Sequence, residues 1–151
     1  MAQFLAPDYP ADLHQIIYTS HSLVQMNGED LVKLLEKSRH DNVAAGITGL
    51  LLHADGSFMQ TIEGAFDAVQ ALFARIEQDP RHGGIILICN EPIKQRSYAD
   101  WSMAFVEITE EQAINIPGFR SDQKDVGPLD RDLARNLMQT FFRTSGFVRR
   151  G

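Results

Sequence analysis

Apolar and polar positions along this chain switch repeatedly between a period of two and a period near 3.6, and each switch predicts an element boundary. Leu13 to Ser20 is a short β-rich run whose alternation places Ile16, Tyr18 and Ser20 on one face. Asn27 precedes Asp30 by three residues, a capping box with Asp in place of Glu. Leu31, Leu34, Leu35 and Ser38 follow at helical spacing, so a helix is expected to end near Arg39. Gly46 to His53 is rich in Ile, Thr and Leu, Asp55-Gly56 is a hairpin signal, and Phe58 to Ile62 resumes the strand pattern. From Ala65 to Gln78, Val69, Leu72, Phe73 and Ile76 form one apolar helical stripe, which Asp79-Pro80 stops. Ile85 to Cys89 is a continuous apolar run of the kind found in central strands. Ser102 to Ile108 alternates as a fifth strand, in which Trp101, Met103 and Phe105 share a parity.

The order β-α-β-β-α-β-β is an α+β, ferredoxin-like plan with one strand added and two crossover helices on one sheet face. Beyond Ile108, breaks at Ile116-Pro117-Gly118 and Gly127-Pro128 precede a helix with Leu133, Leu137, Phe141 and Phe142 as its stripe. The opposite sheet face needs a cover, and covering it is the commoner use of such a stripe; the alternative is contact with another protein. The expected division is a domain over residues 1–110 and a helical extension over 111–151 that is too short to fold alone.

Composition narrows the function. With 151 residues, 44% hydrophobic and 23% charged, the chain is globular and long enough to bury a core without staples. Its net charge of -6 argues against a nucleic-acid partner, as does the lack of an adjacent aromatic RNA-binding pattern. The single cysteine, Cys89, excludes an internal disulfide and fits a reducing compartment. The segment Met1 to Pro10 has no Lys or Arg ahead of a hydrophobic run, and the longest uncharged stretch, Ala44 to Ala54, falls short of the ~18 apolar residues of a membrane span. A cytoplasmic protein without membrane contact is expected. The five histidines, at 14, 21, 40, 53 and 82, show no paired metal spacing, and neither Gly-x-Ser-x-Gly nor a P-loop occurs, so no metal site and no enzyme is expected.

The informative positions are polar residues whose parity buries them. Gln60 shares a face with Phe58 and Ile62, and an amide there needs partners for its hydrogen-bonding sites, each costing about 1–3 kcal/mol if unmade. Tyr18 shares a face with Ile16, so the phenol and the amide meet if the two strands are neighbours. A satisfied core pair is the plain reading of that meeting. Asn42 alone is an ordinary helix cap or turn residue, and Trp101 alone is core packing.

In combination these residues carry a resemblance. Ile16-Ile17-Tyr18-Thr19-Ser20, Ser38-Arg39-His40-Asp41-Asn42, Gly46-Ile47-Thr48-Gly49-Leu50-Leu51, Phe58-Met59-Gln60-Thr61-Ile62-Glu63-Gly64, Asp79-Pro80-Arg81-His82 and Asp100-Trp101-Ser102-Met103 occur in an order and spacing that resemble the BLUF domains, blue-light sensors that use FAD. The resemblance covers about residues 12 to 108. It implies a flavin between the two helices, with its polar edge toward the strands. Tyr18 matches the electron and proton donor, Gln60 the switching amide, and Asn42 the asparagine on the ring edge. Trp101 and Met103 match the pair of which one or the other lies near the glutamine. Leu34, Ser38, Phe58 and Ile76 match lining positions, and Arg75 falls where the second helix presents a basic or polar group. The cofactor implied is FAD, with FMN or riboflavin as alternatives in a recombinant sample.

Asp41 departs from the pattern, since many family members carry Asn or His there. A carboxylate beside an electron-rich ring is repulsive in low dielectric, so Asp41 is expected either to point outward or to have a raised pKa. The length resembles the short, single-domain type, which acts by light-dependent binding to a separate signalling protein. Self-assembly into a homo-oligomer is also expected. The competing reading is a non-photoactive ferredoxin-like ligand or protein-interaction module in which Tyr18 and Gln60 are structural.

Overall fold

The pattern of two periods resolves into a five-stranded sheet with helices on both faces. The computed structural model of the chain describes residues 12–116, 119 and 130–144. The chain runs through β1 (Leu13–Ser22), α1 (Gly28–Ala45), β2 (Thr48–Ala54), β3 (Ser57–Ala65), α2 (Phe66–Gln78), β4 (His82–Pro92), β5 (Ala104–Glu107), α3 (Glu110–Ile114) and α4 (Arg131–Thr144). The sheet order is β4-β1-β3-β2-β5, antiparallel except where β5 runs parallel to β2. This is the expected ferredoxin-like plan. The arm Met1 to Pro10 and the breaks at Pro117-Gly118 and Gly127-Pro128 lie outside the described residues.

Local chemistry accounts for the boundaries. Asn27 caps α1 through its side chain and Asp30 bonds back to the Asn27 N–H, so the unusual capping box forms. α1 continues past Arg39 to Ala45 and ends at Gly46 in the left-handed conformation, because nothing between those residues breaks a helix. Asn42 therefore sits within the helix and does not cap it. Asp55 and Gly56 both have positive φ, 47° and 82°, the mirror-image turn whose twist suits a two-residue hairpin. Gly49 is required by a close approach: a Cβ there would lie 2.0 Å from the Thr61 carbonyl oxygen.

The alternation of each strand divides the interior into two cores. Ile16, Tyr18, Leu51, Phe58 and Ile62 face α1 and α2, where Leu35, Val69 and Phe73 meet them. Ile17, Leu50, Leu52, Met59 and Val106 face the other way, toward Ala113 of α3 and Ala134 and Met138 of α4. The cover expected from the chain's last helix is thus present. Its seam differs from the expected stripe: Ala134 and Met138 are buried, Leu137, Phe141 and Phe142 pack partly, and Leu133 is 45% exposed. Small Ala134 lets the helix approach the sheet, which rotates Leu133 outward.

Two strand expectations need correction. The apolar run Ile85 to Cys89 lies in an edge strand, not a central one, and leaves Ile86 51% and Leu87 47% exposed. Apolar content alone does not distinguish a buried strand from an edge that offers its surface elsewhere. β5 is only four residues long, because the chain is still turning at Ser102 and Met103. The shared parity of Trp101 and Met103 consequently fails: Met103 and Phe105 join the α1/α2 core, while Trp101 packs against the α4 core.

Candidate functional site

A cavity of about 330 Å³ opens over the sheet between α1 and α2, within the usual size range of ligand sites. α1 contributes Leu34, Lys37, Ser38, Asp41 and Asn42, α2 contributes Leu72, Arg75 and Ile76, and the strands contribute Tyr18, Ser20, Leu51, Phe58 and Gln60. Met103 closes one side, and Asp79, Arg81 and His82 stand after the end of α2. The helical spacing of positions 34, 38, 41 and 42 puts them on one face of α1, which is why a single helix supplies so much of the wall.

At the floor, Tyr18 and Gln60 are directly opposed across the β1–β3 ladder. The Tyr18 hydroxyl donates to Gln60 Oε1, and Gln60 Nε2 lies 3.4 Å from the Met103 sulfur, the weakest acceptor in the wall. Both side chains are buried. Burial, with a smaller contribution from the negative charge of Asp79, pushes the Tyr18 phenol well above its ordinary pKa, so it stays protonated. Phe73 tilts against its ring at 5.4 Å. Asn42, also buried, donates through Nδ2 to the Ser102 carbonyl at 2.7 Å, and Arg39 Nε donates to the Met103 carbonyl at 2.9 Å.

The rim is charged. Arg81 grips Asp79 with its shortest contact at 2.6 Å, which holds the Asp79 carboxyl down at about 2. His82 Nε2 lies 2.8 Å from the Ile76 carbonyl, which can only accept, so that nitrogen carries the proton; Nδ1 faces the Ser20 hydroxyl at 3.2 Å. Asp41 pairs with Lys37 at 2.9 Å, and this hydrogen bond lowers its pKa, helped by the positive charges of Lys37 and Arg75 nearby. Of the two alternatives expected for Asp41, the outward-pointing one holds and the raised pKa does not. Its side chain is nearly half exposed at the cavity edge, where water solvates the charge.

All nine positions expected to hold a cofactor line this one cavity, and Met103 of the expected pair does as well. Trp101 does not: its ring stands edge-on to Phe142 of α4, 5.6 Å away on the other side of the sheet. The sequence pattern contains Ser20, Arg81 and His82 within its motifs without giving them a place in the site, and it leaves out Lys37. Lys37 was legible as the i, i+4 partner of Asp41, whereas Arg81 and His82 reach the cavity only because β4 returns beside β1. Among the described residues no cluster of His, Cys, Asp or Glu could hold a metal, and no helix is long and apolar enough to cross a membrane.

The family model for sensors of blue-light using FAD, BLUF, matches residues 13–104. The chain belongs to the BLUF family. It is 36% identical over 106 residues to the photoactivated adenylate cyclase subunit beta of Euglena gracilis, covering 70% of this chain and 12% of that protein. The chain thus spans about an eighth of this relative's length. The solved dark-state structure of the BLUF protein BlrB has a TM-score of 0.66 at 32% identity and covers 87% of this chain and 99% of that one. Klebsiella pneumoniae BlrP1 with FMN and cyclic diGMP has a TM-score of 0.59 at 29% identity, over 63% of this chain and 26% of that one. This BLUF domain is a blue-light sensor that binds a flavin. The cavity suits such a group: an apolar slot of Leu34, Phe58, Leu72 and Ile76, amides at one edge, and cations at the mouth.

Proposed function

We propose that light sensing in this protein runs through a hydrogen-bond switch at Gln60, driven by Tyr18 and read out by Met103. The observation that carries the reading is the buried chain from the Tyr18 hydroxyl to Gln60 Oε1 and from Gln60 Nε2 to the Met103 sulfur, set in the wall of the cavity. When bound, a photoexcited flavin supplies a strong one-electron oxidant. Tyr18 is suited to meet it as a neutral phenol whose proton lies on the hydroxyl aimed at Gln60. A phenol that has lost an electron is a strong acid, so its proton would pass along this bond toward Oε1, and electron and proton would return to Tyr18 on recombination, leaving only the hydrogen-bond network changed.

Gln60 presents an acceptor on one side and a donor on the other, so rotation or tautomerisation of its end group exchanges the two. Leaving Met103 costs little, because a thioether is a weak acceptor. The bistable element is therefore the amide, and the segment that follows its movement is Ser102–Met103, which leads into β5. Within residues 1–110, Asn42 and Ser38 would orient the polar edge of the ring, and Leu34, Phe58 and Ile76 would exclude water from it. Arg75, with Asp41 and Lys37, would set the charge at the rim.

FAD is the cofactor proposed, with FMN as the alternative: Lys37, Arg75 and Arg81 at the mouth favour a phosphate-bearing flavin over riboflavin. Output is contact with a separate signalling protein in the cytoplasm, with the extension over 111–151 as the part that changes. The exposed Ile86 and Leu87 on the β4 edge support assembly into a homo-oligomer, and the unpaired Cys89 fits a reducing setting. The test is the visible spectrum of dark-adapted protein, repeated after blue light and during recovery. A flavin band that moves reversibly to longer wavelength supports the switch. A colourless protein after reconstitution would instead leave an interaction module.

A further inference from the structure

Glu63 is a fully buried carboxyl that the light-sensing switch leaves unused. It sits three positions past Gln60 on β3 and faces the opposite side of the sheet, toward α4. Burial pushes its pKa above the ordinary carboxylate range, against the pull of its partners. Those partners are specific. The Tyr98 N–H donates to Oε1 at 2.7 Å, the Ser97 N–H donates to Oε2 at 3.0 Å, and the Thr48 hydroxyl donates to Oε1 at 3.0 Å. Arg96 closes the ring by donating to Thr48 Oγ1 and to the Gly46 carbonyl, each at 2.9 Å.

Both amides belong to the connection over residues 93–103, which crosses from β4 at one sheet edge to β5 at the other. The far end of this connection is tied to the cavity wall, through the Ser102 carbonyl on Asn42, the Met103 carbonyl on Arg39 and the Met103 sulfur on Gln60. Between the two ends it meets α4. Gln139 Nε2 donates to Ser97 Oγ at 3.1 Å, and the Phe142 ring stands edge-on to Tyr98 at 5.2 Å and to Trp101 at 5.6 Å.

We propose that Glu63 is a positioning residue of the light response: its carboxylate pins Ser97 and Tyr98, so that displacement of Met103 reaches α4 through Trp101 and Phe142. The proposal rests on the switch reading above. With Tyr98 fixed, Phe142 is held between an immobile wall and Trp101, which lies two residues from Met103, and so it has to follow any movement of Trp101. With the clamp loosened, the connection itself absorbs the movement and α4 stays still.

The test compares light-minus-dark hydrogen exchange in the full chain loaded with FAD, as wild type, Glu63→Gln and Thr48→Val, with the visible spectrum recorded alongside. All three are expected to keep the flavin and its red shift, because neither residue lines the cavity. In wild type, illumination changes exchange in α4. In Glu63→Gln, which keeps one acceptor oxygen, dark exchange at whichever of Ser97 and Tyr98 then faces Nε2 rises about tenfold, as for one lost hydrogen bond to a charged acceptor, and the light-induced change in α4 falls to less than about a third. Thr48→Val, which removes one of three donors, lowers it by about half. An α4 response in Glu63→Gln equal to wild type overturns the proposal, as does a normal red shift in wild type with no change in α4. Should Glu63→Gln fail to fold, an undiminished response in Thr48→Val overturns it instead. Absence of the red shift in wild type counts against the switch reading itself and is seen directly in the spectrum.

Discussion

Tyr18 and Gln60 face one another across adjacent antiparallel strands, and the phenol donates its hydrogen bond to the amide oxygen within a buried wall. Direct opposition brings two side chains on one sheet face to their closest approach, so the pair needs no loop to hold it. A rigid sheet therefore fixes the phenol and the backbone that carries the amide, and only the amide's end group is left free to turn.

Removing either member should abolish the light response and spare the cofactor. Tyr18→Phe is expected to bind flavin with no red shift after illumination, and Gln60→Leu likewise. Tyr18→Phe also strands the amide oxygen, so chemical denaturation should show a loss of about 1–3 kcal/mol. A persistent red shift in either variant would place the switch elsewhere.

Met103→Leu conserves volume and is expected to cost less than about 1.5 kcal/mol by thermal unfolding. It removes the sulfur that receives Gln60 Nε2, so the dark-state absorption maximum and the rate of dark recovery should both change. Trp101→Phe should leave the dark maximum in place, since the indole lies on the α4 side of the sheet.

The pH profile follows from the phenols. Burial raises the pKa of Tyr18, with Asp79 adding to it, and burial raises that of Tyr98, with Glu63 adding to it. A proton held more tightly in the fold than in the unfolded chain stabilises the fold below the unfolded value of about 10, and that contribution is lost as pH climbs through the folded one. The amplitude of the red shift should therefore stay flat up to about pH 10. Ultraviolet titration should find these two phenols ionising only as the protein unfolds.

Packing of α4 supplies a contrast. Met138 is fully buried with its sulfur 2.9 Å from the Thr61 hydroxyl, and Met138→Ala should cost about 2–5 kcal/mol. Leu133→Ala, at a position 45% exposed, should stay within about 0.5 kcal/mol. Denaturant midpoints of the two variants settle which face of α4 the sheet uses.

What the sequence disclosed depended on whether the deciding forces were local. Strand alternation showed that Tyr18 and Gln60 are buried, the Asn27–Asp30 spacing showed the cap, and Asp55-Gly56 showed the hairpin. Each is governed by neighbours a few residues away. The position of β4 at an edge was not legible, because Ile85 to Cys89 reads the same in the middle of a sheet. The shared parity of Trp101 and Met103 fails for a related reason: alternation does not extend through Ser102, where the chain still bends, and of the two only Met103 lies by Gln60. The lowered pKa of Asp41 came from Lys37 one helical turn away, a pairing present in the spacing. The position of Arg81 and His82 at the cavity, by contrast, required knowing which strand lies beside β1.

β3 carries Gln60 toward the cavity and Thr61 and Glu63 toward α4, so adjacent residues serve opposite sides of one sheet. Substitutions there alter one side at a time. An insertion or deletion of a single residue would exchange the two sides, presenting a hydroxyl or a methionine to the cavity and turning the amide toward the extension. The spacing between the Asp55-Gly56 turn and Gln60 is therefore constrained as a count of residues, independently of their chemistry. Descendants of this sequence can drift in composition along β3 much further than they can drift in length.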